Sequence, residues 1–395
     1  MSIRAARARI IATAVVLAAL PALSGTPAAA AHDSGVRLDF LGERELPNAM
    51  AFQGTTVGGL SAIGYDAKTG AYYVISDDRS QTGPARFYTA HVDFAQGGAL
   101  KGVELTGTHP WLRPDGTAFP PTATATAASA ASVAPDPEGI AVDPRDGSLV
   151  WTSEGERIVP SDGPALLGAP WIRRATTTGA YTGQLPLPPQ LHMNAQEFGP
   201  RKNQTLEGVT FTPDGRRIVT AMEDPLYQDG ADPTPEHGAL TRITVHDAVT
   251  GAPLTQYAYP LEPLFATPPA GSTDTNGVSD LVALGHDRFL VLERASIFSD
   301  NNWKARIYLV DLHGATDVLG RDSLTDAATR PVKPVRKTLV TDLSDVPGLS
   351  RVDNVEGITL GPRLPDGRRT VVLVSDDNFA AREVTQFIAF AADGI

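Results

Sequence analysis

The fold is decided by a stretch that recurs along the chain, residues 136–155, DPEGIAVDPRDGSLVWTSEG. Four further copies align with it: 58–78 (GGLSAIGYDAKTGAYYVISDD), 205–224 (TLEGVTFTPDGRRIVTAMED), 276–295 (NGVSDLVALGHDRFLVLERA) and 354–377 (NVEGITLGPRLPDGRRTVVLVSDD). In each copy an apolar segment begins at a Glu-Gly or Ser-containing step, a Gly-containing turn follows, and a second apolar segment leads to an acidic residue. Each copy is therefore interpreted as a β-hairpin.

Two aligned positions recur in the copies. The first position holds Ser61, Glu138, Glu207, Ser279 and Glu356, which recur at a nearly constant interval along the chain. The second position holds Asp77, Glu154, Glu223, Glu293 and Asp376, and its separation from the first position is an even number in every copy. Even separations are expected if paired strands keep their pleat while only the turn changes length.

The repeat predicts an all-β fold, a β-propeller, with five blades. Strand-like segments such as 86–92, 171–175, 240–245 and 305–310 follow the hairpins, so each unit has room for the four strands of a blade. The segment after Glu356 and the segment from His32 to Ser61 together supply one more period. We expect the last blade to combine strands 371–374 and 386–390 with an N-terminal strand near 36–40, which leaves no open sheet edge. The period is longer than a compact blade requires, which also leaves room for a sixth blade.

Residues 1–31 are predicted to be a signal peptide, and residues 32–395 a single propeller domain. Arg4, Arg7 and Arg9 precede the apolar run 10–20 and the small-residue segment 27–31, and that run is too short to cross a membrane. We therefore expect a secreted, extracellular protein without a membrane span. It has no cysteine, so its stability must come from core burial, ring closure or bound ions.

The charge of the chain restricts its partners. The formal net charge is −12, and it becomes about −15 without the three arginines of the leader. Such a charge argues against nucleic acids and anionic membranes as partners and is compatible with cation binding. We expect a monomer that acts on a small molecule.

The hairpin geometry predicts a ring of carboxylates. Because the start of the first strand and the end of the second lie side by side, both positions fall at one end of every blade. We therefore expect eight acidic residues at one mouth of the central channel: Asp77, Glu138, Glu154, Glu207, Glu223, Glu293, Glu356 and Asp376. Two such charges about 6 Å apart, at an effective dielectric constant of about 20, repel by roughly 3 kcal/mol, so protons, basic side chains or metal ions must compensate them. A purely architectural role, in which the acids bind backbone amides of neighbouring repeats, is the alternative.

The oxygen-only character of this set favours Ca²⁺ as the bound ion. The eight histidines show no paired spacing typical of zinc sites, and G-x-S-x-G is absent, so a zinc enzyme or a Ser-His-Asp hydrolase has no motif support. Basic residues near the acidic positions are interpreted either as binders of a substrate phosphate or as salt-bridge partners of the ring: Arg79, Arg157, Lys202, Arg294 and Arg351.

The repeated E-G-[IV] and [SAM]-[ED] hairpins, with Ser375-Asp376-Asp377 at the end, resemble the phytase-like domain of secreted bacterial proteins described as having esterase-like activity of phytase. The resemblance covers essentially the whole mature chain. It implies a β-propeller whose acidic residues form the active centre for phosphoric ester hydrolysis. In outline the family is similar to the calcium-dependent propeller phytases, which have six blades and a denser set of Lys, Arg and Asp residues.

These observations lead to the hypothesis of a secreted, Ca²⁺-dependent phosphoesterase, with Glu207 and Glu223 as candidate general bases. Two other hypotheses stay open at this point. One is a non-enzymatic propeller that binds an extracellular ligand and uses cations only for stability. The other is a metal-dependent sugar lactonase, although such enzymes typically need one Glu with Asn and Asp rather than a ring of carboxylates.

Overall fold

Five antiparallel sheets of four strands each are arranged around a common axis. The computed structural model describes residues 35–121, 133–269, 274–297, 302–326, 328 and 330–395. The predicted signal peptide lies outside the described residues. Every four-stranded sheet in the described part belongs to one of the five blades, so the prediction of a five-bladed propeller is confirmed. No helix among the described residues is long and apolar enough to cross a membrane.

In blades 1 to 4 the strands follow chain order from the axis outward. Blade 1 consists of strands Ala62–Tyr65, Tyr72–Ser76, Arg86–Phe94 and Leu100–Pro110. Blade 2 consists of Pro137–Val142, Leu149–Ser153, Trp171–Ala175 and Tyr181–Leu185. Blade 3 consists of Leu206–Phe211, Arg217–Met222, Leu240–Asp247 and Pro253–Pro260. Blade 4 consists of Thr275–Gly285, Arg288–Ile297, Asn302–Asp311 and Arg336–Asp342.

Blade 5 joins the two ends of the described chain. Its inner strands are Val355–Arg363, Arg369–Ser375 and Thr385–Asp393, and its outer strand is Arg37–Leu46. The outer strand pairs antiparallel with the C-terminal strand from Arg37 opposite Asp393 to Leu46 opposite Thr385. The predicted closure by an N-terminal strand is therefore confirmed.

The remaining regular elements of the described part are short. Two small hairpins are formed by Ala51–Phe52 with Thr55–Thr56 and by Glu156–Ile158 with Leu166–Gly168. Segments of 3₁₀ helix cover Pro189–Leu191, Tyr227–Asp229 and Leu343–Asp345.

Apolar side chains fill the spaces between neighbouring blades. One buried cluster joins each blade to the next around the ring, and each contains residues of both neighbours. Representative pairs are Ile75 with Trp151, Val150 with Met222, Val219 with Val291, Leu292 with Leu373, and Val374 with Val74. Five such interfaces close the ring without any disulfide, and their burial is the main source of its stability.

The Glu-Gly step of the repeat is explained by the close approach of the inner strands. A Cβ atom on Gly139 would lie 2.4 Å from the carbonyl oxygen of Glu207, and one on Gly208 would lie 2.8 Å from the Cα of Asp280. Real Cβ atoms do not come this close to backbone atoms, so only glycine fits beside the axis. The residue before each glycine can then lie at the channel mouth.

Candidate active site at the channel mouth

A β-bulge at the first position sets the geometry of the site. The residue before this position pairs with the residue before the second position in three blades: Pro137 with Ser153, Leu206 with Met222, and Val355 with Ser375. In blade 4 the equivalent residue, Val278, pairs with Glu293 itself. The pairing then shifts by one residue. The second position therefore belongs to Glu154, Glu223, Arg294 and Asp376, with Asp77 at the corresponding place in blade 1.

The prediction that Glu293 belongs to the carboxylate ring is wrong. Its carboxylate accepts hydrogen bonds from the Tyr259 hydroxyl (2.7 Å) and the Asn276 side-chain amide (3.2 Å), and it is paired with the ammonium of Lys337. Strand Thr275–Gly285 carries a second register shift near Leu284, so the register differs by one residue from that inferred from the spacing. In a strand, a one-residue shift moves a side chain to the opposite face.

Arg294 occupies the place that was predicted for Glu293. One terminal nitrogen of its guanidinium, Nη2, lies 3.1 Å from Oε1 of Glu223 and 3.1 Å from Oε1 of Glu356. Its side chain is only 10% exposed. The arginine is thus a built-in countercharge that links the carboxylates of blades 3 and 5.

Seven of the eight predicted acidic residues do come together. Ligand oxygens of Asp136, Glu138 and Glu154 lie within 4.8 Å of one another, and so do those of Glu154, Glu207 and Glu223. Glu154 is common to both groups and is 1% exposed. Asp77, Glu356 and Asp376 complete the ring, since the charges of Asp77 and Glu356 both act on Asp376. Asp136, two residues before the first position of blade 2, joins the site as an additional carboxylate.

Burial and mutual repulsion make these carboxyl groups weak acids. Burial first, then the neighbouring charges of Glu207 and Asp136, raises the pKa of Glu138 well above its usual range. The same causes raise the pKa of Glu154, Glu207, Asp77 and Asp376. Burial raises the pKa of Glu223 to about 7, against the opposing effect of Arg294. The ring is therefore short of positive charge, which is the condition under which buried acids retain protons or bind cations.

Hydrogen bonds orient several of the carboxylates. The backbone amide of Thr205 donates to Oε1 of Glu154 at 2.5 Å. The side-chain amide of Asn354 donates to Glu356 (3.0 Å), and the amide of Asn378 donates to Asp376 (2.7 Å). These bonds hold the acids in place without neutralising them.

Unpartnered polar atoms accompany the ring. Ser279 Oγ, Asp224 Oδ1 and Asn354 Oδ1 are buried and have no hydrogen-bond partner within the described part of the protein. Ser279 stands at the first position of blade 4, and Asp224 directly follows Glu223. Buried oxygens without a donor are costly unless a cation or water satisfies them.

The predicted basic residues divide into two sets. Arg79 lies beside the ring, with Nη1 3.3 Å from Asp136 Oδ2 and Nη2 2.7 Å from Glu156 Oε2, and Lys202 pairs with Glu156 at 3.3 Å while half exposed. With Arg294, these cations border the acidic cluster. The other two predicted cations bind elsewhere.

Arg157 donates to the carbonyls of Asn194 (2.9 Å) and Ala195 (3.2 Å), and its guanidinium stacks on Tyr227. Arg351 pairs with Asp353 at 2.6 Å. The described contacts of these two arginines thus do not include the acidic ring.

Blade 4 differs from the Glu-Gly copies of the repeat in the residue that follows the first position. Where the other Glu-Gly copies have glycine, blade 4 has Asp280, which is 2% exposed. Its carboxylate accepts hydrogen bonds from the amides of Leu281 (2.8 Å) and of Ile358 in blade 5 (2.9 Å). Asp280 therefore ties two inner strands together directly below the ring.

The geometry defines a five-bladed β-propeller with a carboxylate cluster at one mouth of its channel. The chain belongs to the phytase-like family described as "Esterase-like activity of phytase", whose model matches residues 55–379. The family description points to a hydrolase. No curated protein matches the chain.

Solved structures of similar fold include several sugar-active enzymes. An endo-arabinase from Bacteroides thetaiotaomicron is 11% identical, with a TM-score of 0.42 over 84% of this chain and 93% of that one. A GH43 β-1,3-galactosidase is 10% identical, with a TM-score of 0.43 over 87% and 93%. A gluconolactonase from Xanthomonas campestris is 11% identical, with a TM-score of 0.33 over 89% and 97%. Similarity at this level carries no information on function.

Proposed function

We propose that the protein is a secreted, Ca²⁺-dependent hydrolase of phosphoric esters that acts at the acidic mouth of the channel. One observation carries the proposal. Two groups of three carboxylates share Glu154, and arginines border them from the Asp136 side and from the Glu223 side. Membership of the phytase-like family supports the choice of ester, and the leader sequence supports secretion.

The donor set fits calcium. All the candidate ligands are oxygens, and the two groups would be formed by Asp136, Glu138 and Glu154 and by Glu154, Glu207 and Glu223. Ca²⁺ prefers six to eight oxygens in flexible geometry. The unpartnered oxygens of Ser279 and Asp224 add to the donors at this mouth. When bound, the ions would neutralise the carboxylates and polarise a phosphoryl oxygen.

In this proposal two arginines of the chain bind the phosphate group of the substrate. Arg79 and Arg294 lie on two sides of the cluster, and the Nε atom of each is buried without a partner among the described residues. A phosphate brought to the mouth would offer these donors the oxygen acceptors that they lack. Guanidinium groups suit phosphate because they bind two of its oxygens at once. They would orient the ester and stabilise the charge that develops during its hydrolysis.

Glu223 and Glu207 remain the candidate bases. In the metal-free protein the pKa of Glu223 is raised to about 7. A bound cation would keep its carboxylate deprotonated and so able to accept a proton. Burial and the charge of Glu223 raise the pKa of neighbouring Glu207. In this proposal one of the two accepts the proton of the water that attacks phosphorus, and the other holds that water in place.

The test is an activity assay of the purified mature protein on p-nitrophenyl phosphate, bis-p-nitrophenyl phosphate and phytate, with calcium and with a chelator. We expect turnover of at least one ester that the chelator abolishes and calcium restores. Glu154→Gln should lower kcat/KM at least a hundredfold, because Glu154 is shared by both groups. Glu104→Gln, on the exposed outer strand of blade 1, is the matched control and should leave activity unchanged.

If no ester were hydrolysed under any of these conditions, the proposal would be wrong. Calcium binding that persisted without turnover would instead favour the non-enzymatic propeller. Turnover that a chelator left unchanged would contradict the assignment of the metal.

A further inference from the structure

The opposite end of the channel contains a cavity that the proposed hydrolase does not use. It has a volume of about 320 Å³, within the size range of small-molecule sites. All five inner strands contribute to its wall, through Ile63, Ile140, Val209, Leu281 and Ile358. It therefore lies on the propeller axis.

This cavity is separate from the carboxylate ring. Its five apolar residues lie two positions beyond the ring position on their strands, and the wall continues to the hairpin turns at Asp66, Pro144 and Pro213. Tyr65, four residues beyond Ser61, is about 13 Å further along the strand at 3.3 Å per residue. The Asp280 carboxylate and the close-packed glycines lie between the two ends.

One positive charge in the wall has no compensating acid. Arg369 lines the cavity, and its Nε donates to the carbonyl of Gly361 at 3.1 Å. In the part of the chain that the structure describes, no carboxylate forms an ion pair with it. Arg369 also stands directly opposite Arg363 in the blade 5 hairpin, and like charges at such a pair destabilise a sheet. Burial, reinforced by Arg363, lowers the pKa of Arg369.

The other polar groups of the wall include a hydrogen-bond donor and a second cation, which suit a ligand that carries hydrogen-bond acceptors. Tyr65 lines the same cavity, and its hydroxyl group is a neutral donor, since burial raises its pKa. Lys68 is a second cation at the rim. Asp66 is the acidic residue among these, and its carboxylate accepts from the backbone amide of Lys68 (2.9 Å) and the hydroxyl of Thr69 (2.7 Å) within its own turn. Its negative charge acts on Tyr65, but the wall also contains the two positive charges of Arg369 and Lys68.

We propose that this cavity is a second binding site, which takes a small organic monoanion with an apolar body. The anionic group would bind Arg369 and Tyr65, and the apolar body would lie against the five aliphatic residues. The ligand would restore the charge balance that the hairpin lacks. A carboxylate on an aromatic or short aliphatic group has this chemistry, whereas a highly charged phosphate ester has no apolar part for the wall.

The experiment uses 4-fluorobenzoate as the probe, with the full mature protein labelled at isoleucine methyl groups. Three of the five aliphatic wall residues are isoleucines: Ile63, Ile140 and Ile358. We expect saturable shifts of these three methyl signals and a parallel change in the ¹⁹F signal of the probe. Neutral 4-fluorobenzamide should bind at least tenfold more weakly, and this comparison needs no variant.

Two variants locate the charge that matters. Arg369→Gln should weaken binding of the probe at least tenfold, whereas Arg363→Gln, at the more exposed residue of the same pair, which does not line the cavity, should keep it within threefold. Thermal melts establish that both variants fold. If Arg369→Gln does not fold, Tyr65→Phe takes its place and should weaken binding at least threefold.

Absence of saturable shifts, equal binding of the amide, or wild-type affinity in Arg369→Gln would each overturn the proposal. A binding loss of the same size in Arg363→Gln would also overturn it, because the charge of the face rather than the site would then be responsible. Phosphoesterase assays of the same samples are independent of this result.

Discussion

Two glutamates of similar burial have opposite roles in this protein. Glu154 is surrounded by other carboxylates and held by one backbone amide, whereas Glu293 is neutralised by Lys337 and hydrogen-bonded by Tyr259 and Asn276. The sequence places both at the second position of their repeats. Only Glu154 has uncompensated negative charge around it. Substitution of Glu154 and of Glu293 should therefore change the stability of the protein in different ways.

Glu154→Gln is expected to remove most of the stabilisation by calcium. Because the side chain belongs to both carboxylate groups, its loss should remove most of the rise in Tm that calcium produces. In the presence of chelator at pH 8 the variant should be at least as stable as the wild type, since one of several repelling charges is gone. Melting curves with calcium and with chelator measure both effects. A calcium-dependent rise in Tm equal to that of the wild type would contradict the assignment of Glu154.

Glu293→Gln is expected to destabilise the protein with or without calcium. The substitution removes the buried partner of Lys337, which is 6% exposed, and leaves its ammonium only the partly exposed carboxylate of Glu262 at 3.0 Å. Breaking a buried ion pair from one side typically costs about 3 kcal/mol. Denaturant unfolding should show this loss equally in calcium and in chelator. A loss seen only in calcium would instead return Glu293 to the metal site.

At the scale of strands and hairpins, much of the structure could be predicted from the sequence. The recurrence of the Glu-Gly or Ser-containing step predicted five blades, because one hairpin per blade must repeat at the period of the fold. The residues before Ser61 and after Glu356 together make up one repeat period, which predicted that an N-terminal strand would complete the last blade. The observed strand is Arg37–Leu46, paired with the C-terminal strand. The second prediction follows because each blade has four strands and the C-terminal segment supplies only three.

The register of blade 4 could not be predicted from the spacing. Its turn is the two-residue pair His286-Asp287, both at positive φ, and a bulge near Leu284 adds one unpaired residue. Bulges have no reliable sequence signature. The even separation between Ser279 and Glu293 therefore suggested the wrong sheet face for Glu293. For the same reason Arg294 was interpreted only as a basic residue beside the ring. Contacts between inserted loops, such as those of Arg157 with the segment 194–196, also depend on segments that no repeat specifies.

The closing strand provides a prediction at this scale. A chain that begins at residue 49 lacks the strand Arg37–Leu46 and exposes the edge of Thr385–Asp393, so we expect aggregation or a Tm lower by about 10 °C or more. The matched control is a circular permutant in which residues 35–48 follow residue 395 through a short linker. It restores the pairing with the opposite connectivity and should recover a monomeric, cooperative fold. If the truncated chain were as stable as the full chain, or if the permutant did not recover stability, closure by this strand would be contradicted.

For the whole molecule, the ring of acids couples stability to pH and to metal. Ring carboxyls whose folded-state pKa is raised bind more protons in the folded than in the unfolded state, over the pH range between the two pKa values. The free energy of unfolding therefore falls as pH rises through that range. Glu223, with its pKa raised to about 7 from 4.5, contributes between these values, and groups raised well above their usual range, such as Glu138 and Glu207, extend the fall to higher pH.

Bound calcium should reverse this dependence. Metal ligands must be deprotonated, so affinity for the ion, and with it the stability of the loaded protein, rises with pH. We expect Tm to fall from pH 6.5 to pH 8 in chelator and to stay level or rise in calcium. Buried His246, whose pKa is lowered to about 4, opposes this fall, because its imidazole is still partly protonated in the unfolded state near pH 6.5. Its effect fades towards pH 8, where the imidazole is neutral in both states. Glu138→Gln removes one titrating group and should flatten the fall in chelator. A metal-free Tm that rose with pH would show that the chain's own cations already neutralise the ring, and the mouth would then have no need of a metal.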